Sequence, residues 1–259
     1  MSVTLASLDS GEASGAFLPV VILHGLMGSA DNWRSYIKEW SAHTRVVAFD
    51  LRNHGRSPHV EGMDYESMAD DVMAAFKTHG ITRCCLIGHS MGGKVAMTLA
   101  RRHSECVERL VVADVAPVAY QHGHDDVFKA MRAVEAARPK SRSEADDVMK
   151  NVIDSIATRQ FLATNLTRGE GEFVWRVGLD EIEAGYESII AAPGGSETFE
   201  KPTLFLRGGA SSYVDEAGIE AARSLFTDLT IETLEGIGHW VHAEAPKAFR
   251  EHVVRFLTS

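Results

Sequence analysis

The chain has 259 residues, of which 45% are hydrophobic, and it carries a formal net charge of −10 at neutral pH. That length suits one α/β domain with a modest insertion, and folding at this size hides roughly three quarters of the unfolded surface. The acidic balance and the lack of a basic run argue against a nucleic-acid partner, whose phosphates demand lysine and arginine concentrated on one face.

From the N-terminus onward, no membrane span or leader is expected. The longest early apolar run, "FLPVVIL" at 17–23, is far shorter than the ~20 residues a span needs. The first basic residue is Arg34, so the charged start of a signal peptide is missing. Cys84, Cys85 and Cys106 form no CxxC, which predicts free thiols in a reducing, cytoplasmic compartment. Asn165-Leu166-Thr167 spells a glycosylation sequon that such a compartment leaves unused.

Four β-rich apolar runs follow in turn: "PVVILHG" (19–25), "TRVVAFD" (44–50), "RCCLIGHS" (83–90) and "RLVVADVAP" (109–117). Helical patterns lie between them at about 31–42, 66–79 and 92–104. Short, nearly continuous apolar strands alternating with helices predict βαβ units and a parallel sheet buried on both faces. From about 121 to 198 the pattern predicts amphipathic helices and no strand, with Ser143 as one N-cap. Strands return at 202–209 and 229–236, each followed by a helix, at 215–226 and 246–257. The organisation predicted is a sheet core, 1–118 with 199–259, interrupted by a helical cap at 119–198.

The third strand runs into Gly88-His89-Ser90-Met91-Gly92, which fits G-x-S-x-G. A serine on so sharp a strand-to-helix turn needs small residues two before and two after it, and the turn lifts its Oγ clear of the sheet. "GHSMGGK" also fits a phosphate-binding loop, but Val95 stands where that loop needs Ser or Thr for a metal ion. Acyl transfer at Ser90 requires amides aimed at the developing oxyanion. The residue after the nucleophile, Met91, supplies one, and Leu26 in the turn after "VVILHG" supplies the second. His24 in that turn is read as structural. The general base is expected at His239, in the Gly-rich loop "EGIGHWVHAEAP"; His242 is the weaker candidate. His122 and His124 are read as solvated loop rather than as a metal site.

"HGLMGSADNW", "DLRNHGRSPH", "GHSMGGKVAM", "RGGASSYV" and "GHWVHAE" together resemble the α/β-hydrolase superfamily, and most closely its bacterial YbfF-type esterases. These motifs span residues 24 to 244 in the family's order. The resemblance implies the α/β-hydrolase fold, a mostly parallel twisted sheet flanked by helices, with the helical cap inserted after the sixth strand. It also implies a Ser-His-acid esterase acting on short to medium acyl esters or thioesters, with no cofactor and no metal. A non-catalytic binding protein on the same scaffold is the alternative.

One residue of the pattern is missing. The turn "RGGASSYV" carries Ser211 and Ser212 where the family most often has its acid. An acid must accept the Nδ1–H of His239 and fix its tautomer, and another strand end can do this. Asp114, at the end of the strand after the nucleophile strand, is the first choice, and YbfF-type enzymes use that position. Asp180 and Asp215 remain alternatives. Asp50, Arg52, His54 and Ser57 are expected to tie down a long connection. Trp33, Phe161, Leu162, Phe173 and Trp175 are assigned to the core rather than to an acyl pocket.

Overall fold

A computed structural model of the chain describes residues 2–12 and 17–259. The first part contains β1 (Ser7–Ser10), β2 (Val20–Leu23), α1 (Arg34–Trp40), β3 (Val46–Phe49), α2 (Tyr65–His79), β4 (Cys84–His89), α3 (Met91–Arg102) and β5 (Val107–Ala113). An insertion follows, with α4 (Asp125–Ala137), α5 (Arg142–Met149), α6 (Ile156–Ala163), β6 (Leu166–Arg168), β7 (Phe173–Trp175), α7 (Leu179–Ala184) and α8 (Tyr186–Ile190). The chain then returns through β8 (Thr203–Gly208), α9 (Glu216–Leu225), β9 (Leu229–Leu234), α10 (Val241–Glu244) and α11 (Pro246–Thr258).

The main sheet has the order β1-β3-β2-β4-β5-β8-β9. β1 runs antiparallel to β3, and every other pair is parallel. Its central strands are apolar on both faces, and their side chains alternate between two cores. Val21, Leu23, Leu86 and Val112 join one core with α2 and α3. Val20, Ile22, Ile87 and Val111 join the other with Trp33, Tyr36 and Phe249. A strand buried on both sides loses the polar alternation of a surface strand, which is why these runs were legible as continuous apolar sequence.

Three expectations need correction. The insertion leaves the sheet after its fifth strand in chain order, not its sixth, because among the described residues only one strand, β1, precedes the parallel set. Residues 121–198 do hold strands: β6 and β7 form a small antiparallel pair. Each is three residues long and contains polar or exposed positions, too little for a period of two to register. The helix assigned to a Ser143 cap begins at Arg142 instead, and Ser141 caps it, its Oγ accepting the Glu144 amide at 3.1 Å. Ser141 sits three residues before Glu144, the spacing an N-cap needs to reach the third amide.

The insertion is tied to the sheet-bearing part by buried polar contacts. Asn165 Nδ2 donates to the Met27 carbonyl at 2.7 Å, and the Tyr65 hydroxyl donates to the Ile189 carbonyl. Asn165 is 1% exposed, so its sequon has no room for a glycan. Among the described residues no helix is long and apolar enough to cross a membrane.

Candidate active site

The turn between β4 and α3 holds Ser90 at φ 52°, a left-handed conformation that is costly for a residue with a side chain. Its neighbours make room for it. A side-chain carbon at Gly88 would strike the Gly92 carbonyl, and one at Gly92 would strike the carbonyls of Leu23 and His24. The Ser90 amide is pinned to the Ala113 carbonyl at 3.0 Å, so the turn is fastened to the end of β5.

His239 reaches this turn from the loop after β9. Glu244 holds that loop by accepting the amides of Gly238 (2.8 Å) and Trp240 (3.2 Å). Tyr213 stacks on the imidazole, with ring centroids 3.9 Å apart and planes inclined by 18°. His239 Nε2 lies 2.9 Å from Ser90 Oγ, and Nδ1 lies 2.8 Å from Asp114 Oδ2. A carboxylate can only accept, so Nδ1 carries the proton and Nε2 is left to accept from the serine hydroxyl.

Asp114 follows β5 with φ 51° and is 1% exposed. β5 lies between β4 and β8 in the sheet, which sets this carboxylate between the Ser90 turn and the 208–212 turn. Its Oδ1 accepts the Gly208 amide at 2.8 Å, and its Oδ2 accepts the Ser211 hydroxyl as well as the imidazole. Ser211, which stands where an acid was expected, therefore hydrogen-bonds to Asp114. The other two acids lie elsewhere. Asp180 pairs with Arg132 at 2.6 Å with its side chain 83% exposed, and Asp215 caps α9 by accepting the Gly218 amide at 2.8 Å.

Two backbone amides beside Ser90, those of Leu26 and Met91, have no hydrogen-bond partner among the described residues. The Leu26 turn is shaped by histidines that stay neutral. His54 Nε2 accepts the Met27 amide at 3.1 Å, and His24 Nε2 accepts the Leu51 amide at 3.0 Å. Burial drives the pKa of His24 down to about 4 and that of His54 down to about 3. His89 and His242 are pushed down in the same way, His242 to about 3. His242 stacks on Trp33 and does not bond to Ser90. The imidazole of His239 thus has neutral neighbours, and Asp114 is the charged group bonded to it. Asp50 accepts the amides of Ala30 and Arg56, and Arg52 forks onto buried Asp71, both as tethers of the connection after β3.

Two cavities meet at Ser90. One, of about 260 Å³, is bordered by His239, Trp240, Trp33, Phe161 and Leu162. The other, of about 210 Å³, is bordered by Met91, Lys94, Tyr65, Tyr120 and Ile189. Trp33, Phe161 and Leu162, which helical spacing assigned to the core, therefore face a cavity as well. Phe173 and Trp175 border neither. Sequence reasoning missed Tyr213 and the bond from Ser211; the pair "SSYV" at the expected acid turn was the available signal.

Residues 19–246 match a family described as the alpha/beta hydrolase fold. The chain belongs to the α/β-hydrolase family. Among its curated members, the mouse (Mus musculus) sn-1-specific diacylglycerol lipase ABHD11 is 41% identical over 93% of this chain and 82% of its own length. Esterase YbfF of Escherichia coli (strain K12) is 34% identical, with 92% of each chain covered. A solved structure of a marine microorganism esterase superposes with a TM-score of 0.94 at 36% identity, covering 98% of this chain and 100% of that one. As an α/β-hydrolase the chain does not use "GHSMGGK" as a phosphate loop: Lys94 Nζ points to the carbonyls of Ile190 and Ala191. His122 and His124 part company. His122 pairs with Glu187 and Asp125, and His124 bonds the Tyr186 hydroxyl.

Proposed function

We propose that this α/β-hydrolase is a serine esterase that cleaves esters of short to medium acyl chains through an acyl-enzyme, with thioesters as further substrates. The chain is an enzyme, a carboxylic ester hydrolase. The observation that carries the mechanism is the unbroken chain of hydrogen bonds from Ser90 Oγ to His239 (2.9 Å) and on to Asp114 (2.8 Å).

In the first half-reaction His239 Nε2 takes the Ser90 proton as Oγ attacks the ester carbonyl. The unpartnered amides of Leu26 and Met91 receive the oxyanion, and Asp114 stabilises the imidazolium without itself taking the proton. His239 then protonates the leaving alcohol, and in the second half-reaction it activates the water that frees the acid. Because His239 must reach the leaving oxygen, the cavity it borders takes the alcohol. The cavity bordered by Met91 takes the acyl chain.

Residues 119–198 serve as the cap that closes both cavities over Ser90. The enzyme works in the cytoplasm, a reading supported by three free cysteines, two of them buried with thiol pKa values raised by burial. A fluorophosphonate should label Ser90, and Ser90→Ala should lose both labelling and hydrolysis of p-nitrophenyl butyrate. Undiminished hydrolysis by Ser90→Ala would overturn the mechanism.

A further inference from the structure

The acyl cavity has a charge on its wall that esterase chemistry does not use. Lys94 stands on α3 one turn after Ser90, about 6 Å along the helix axis. It is 1% exposed. Its ammonium donates to the Ala191 carbonyl at 2.6 Å and to the Ile190 carbonyl at 3.3 Å. It also sits 4.5 Å from the centre of the Tyr120 ring and 5.5 Å from that of Tyr65.

No carboxylate pairs with Lys94 among the described residues, and desolvation alone drives its pKa down to about 7. A buried cation without a counter-charge is costly. An ammonium has three donors, and two are spent on carbonyls. Several other polar groups on the same wall are already engaged. The Tyr65 hydroxyl donates to Ile189, the Tyr120 hydroxyl donates to the Tyr213 carbonyl at 2.6 Å, and His124 bonds Tyr186 at 2.6 Å. Burial holds His124 below its ordinary pKa, so it adds little positive charge. The wall thus offers one amine without a counter-charge, which a bound carboxylate would hold protonated, a turn of helix away from Ser90.

We propose that Lys94 selects acyl groups that end in a carboxylate, so that the preferred substrates are half-esters of short dicarboxylic acids. This inference rests on the serine-esterase reading and on the placement of the acyl chain beside Met91. The incoming carboxylate supplies the missing counter-charge and accepts the third N–H. A neutral chain of the same length leaves both wants unmet. The chain's overall charge of −10 does not gather anions, so the preference arises inside the cavity.

The test compares kcat/KM for monoethyl glutarate and ethyl pentanoate, whose acyl chains have the same carbon count, by pH-stat titration. The wild type should favour the half-ester by about tenfold to a hundredfold, the range of a hydrogen bond to a charged partner. Lys94→Met should abolish that ratio, whatever happens to the separate rates, and Lys94→Arg should restore most of it. In the wild type, free glutarate should inhibit ethyl pentanoate hydrolysis at lower concentration than free pentanoate does. That result needs no variant to fold. Equal or better use of ethyl pentanoate by the wild type would overturn the inference while leaving the esterase reading intact. So would an unchanged ratio in Lys94→Met, which would make Lys94 a pin between α3 and the end of α8. Turnover of neither ester would instead overturn the esterase reading itself.

Discussion

Replacing Asp114 by asparagine is the sharpest probe of the proposed chemistry, because the two side chains have nearly the same shape. Asp114 is 1% exposed and accepts three bonds, from the His239 imidazole, the Gly208 amide and the Ser211 hydroxyl. An asparagine oxygen can keep the Gly208 amide, but its NH₂ then faces His239. The imidazole must accept at Nδ1, so its proton moves to Nε2, where it can no longer receive the proton of Ser90. An inverted tautomer of this kind costs on the order of 10⁴ in kcat, equivalent to about 5.4 kcal/mol at 1.36 kcal/mol per tenfold. The assay is p-nitrophenyl butyrate hydrolysis, with circular dichroism to check that Asp114→Asn melts as a folded protein. A folded variant within about tenfold of wild-type kcat would refute the assignment and return Asp180 and Asp215 to consideration.

Ser211→Ala removes one hydrogen bond to the same carboxylate but leaves the Gly208 amide and the imidazole in place, so kcat should fall by about tenfold with little change in melting temperature; an unchanged kcat would make that hydroxyl irrelevant to the acid. Acid should unfold the protein early. His24, His54 and His242 are buried with pKa values of about 4, 3 and 3, whereas an unfolded histidine titrates near 6.5. As pH falls below about 6.5 the unfolded chain binds protons that the folded chain refuses, so stability is present above that pH and is lost below it. Each group costs about 2 kcal/mol between pH 7 and pH 5, and the three together about 6 kcal/mol, a large part of a domain's stability. His122, raised by Glu187 and Asp125, works in the opposite direction. Melting by circular dichroism should drop by about 10–20 °C between pH 7 and pH 5, and a flat melting temperature would refute the burial argument.

Features that depend on neighbours in the chain were legible in the sequence. The apolar runs of β2 to β5 announced a doubly buried sheet because both faces of each strand had to be apolar. Ser90 was legible because its turn crowds Gly88 against Gly92, a clash between residues four apart that restricts composition locally. His239 was legible as a candidate from its glycines and its place after the last strand, and it bonds to Ser90 and Asp114. β6 and β7 were not, since three residues carry no period.

The acid was a different matter. The sequence put Asp114 ahead of Asp180 and Asp215 but left all three open, and the bond from Asp114 to His239 joins residues 125 positions apart. Which one reaches the imidazole depends on β5 lying between β4 and β8, a property of sheet order. The same holds for Ser211 on Asp114, for Tyr213 on His239, and for the carbonyls that meet Lys94 from the insertion. Backbone sterics and apolar periodicity act over a few residues, so the sequence by itself determined the long apolar strands and the turn that carries Ser90. Hydrogen bonds between distant side chains are set by which strand ends become neighbours, so only the tertiary structure decided which carboxylate meets His239 and what supports it.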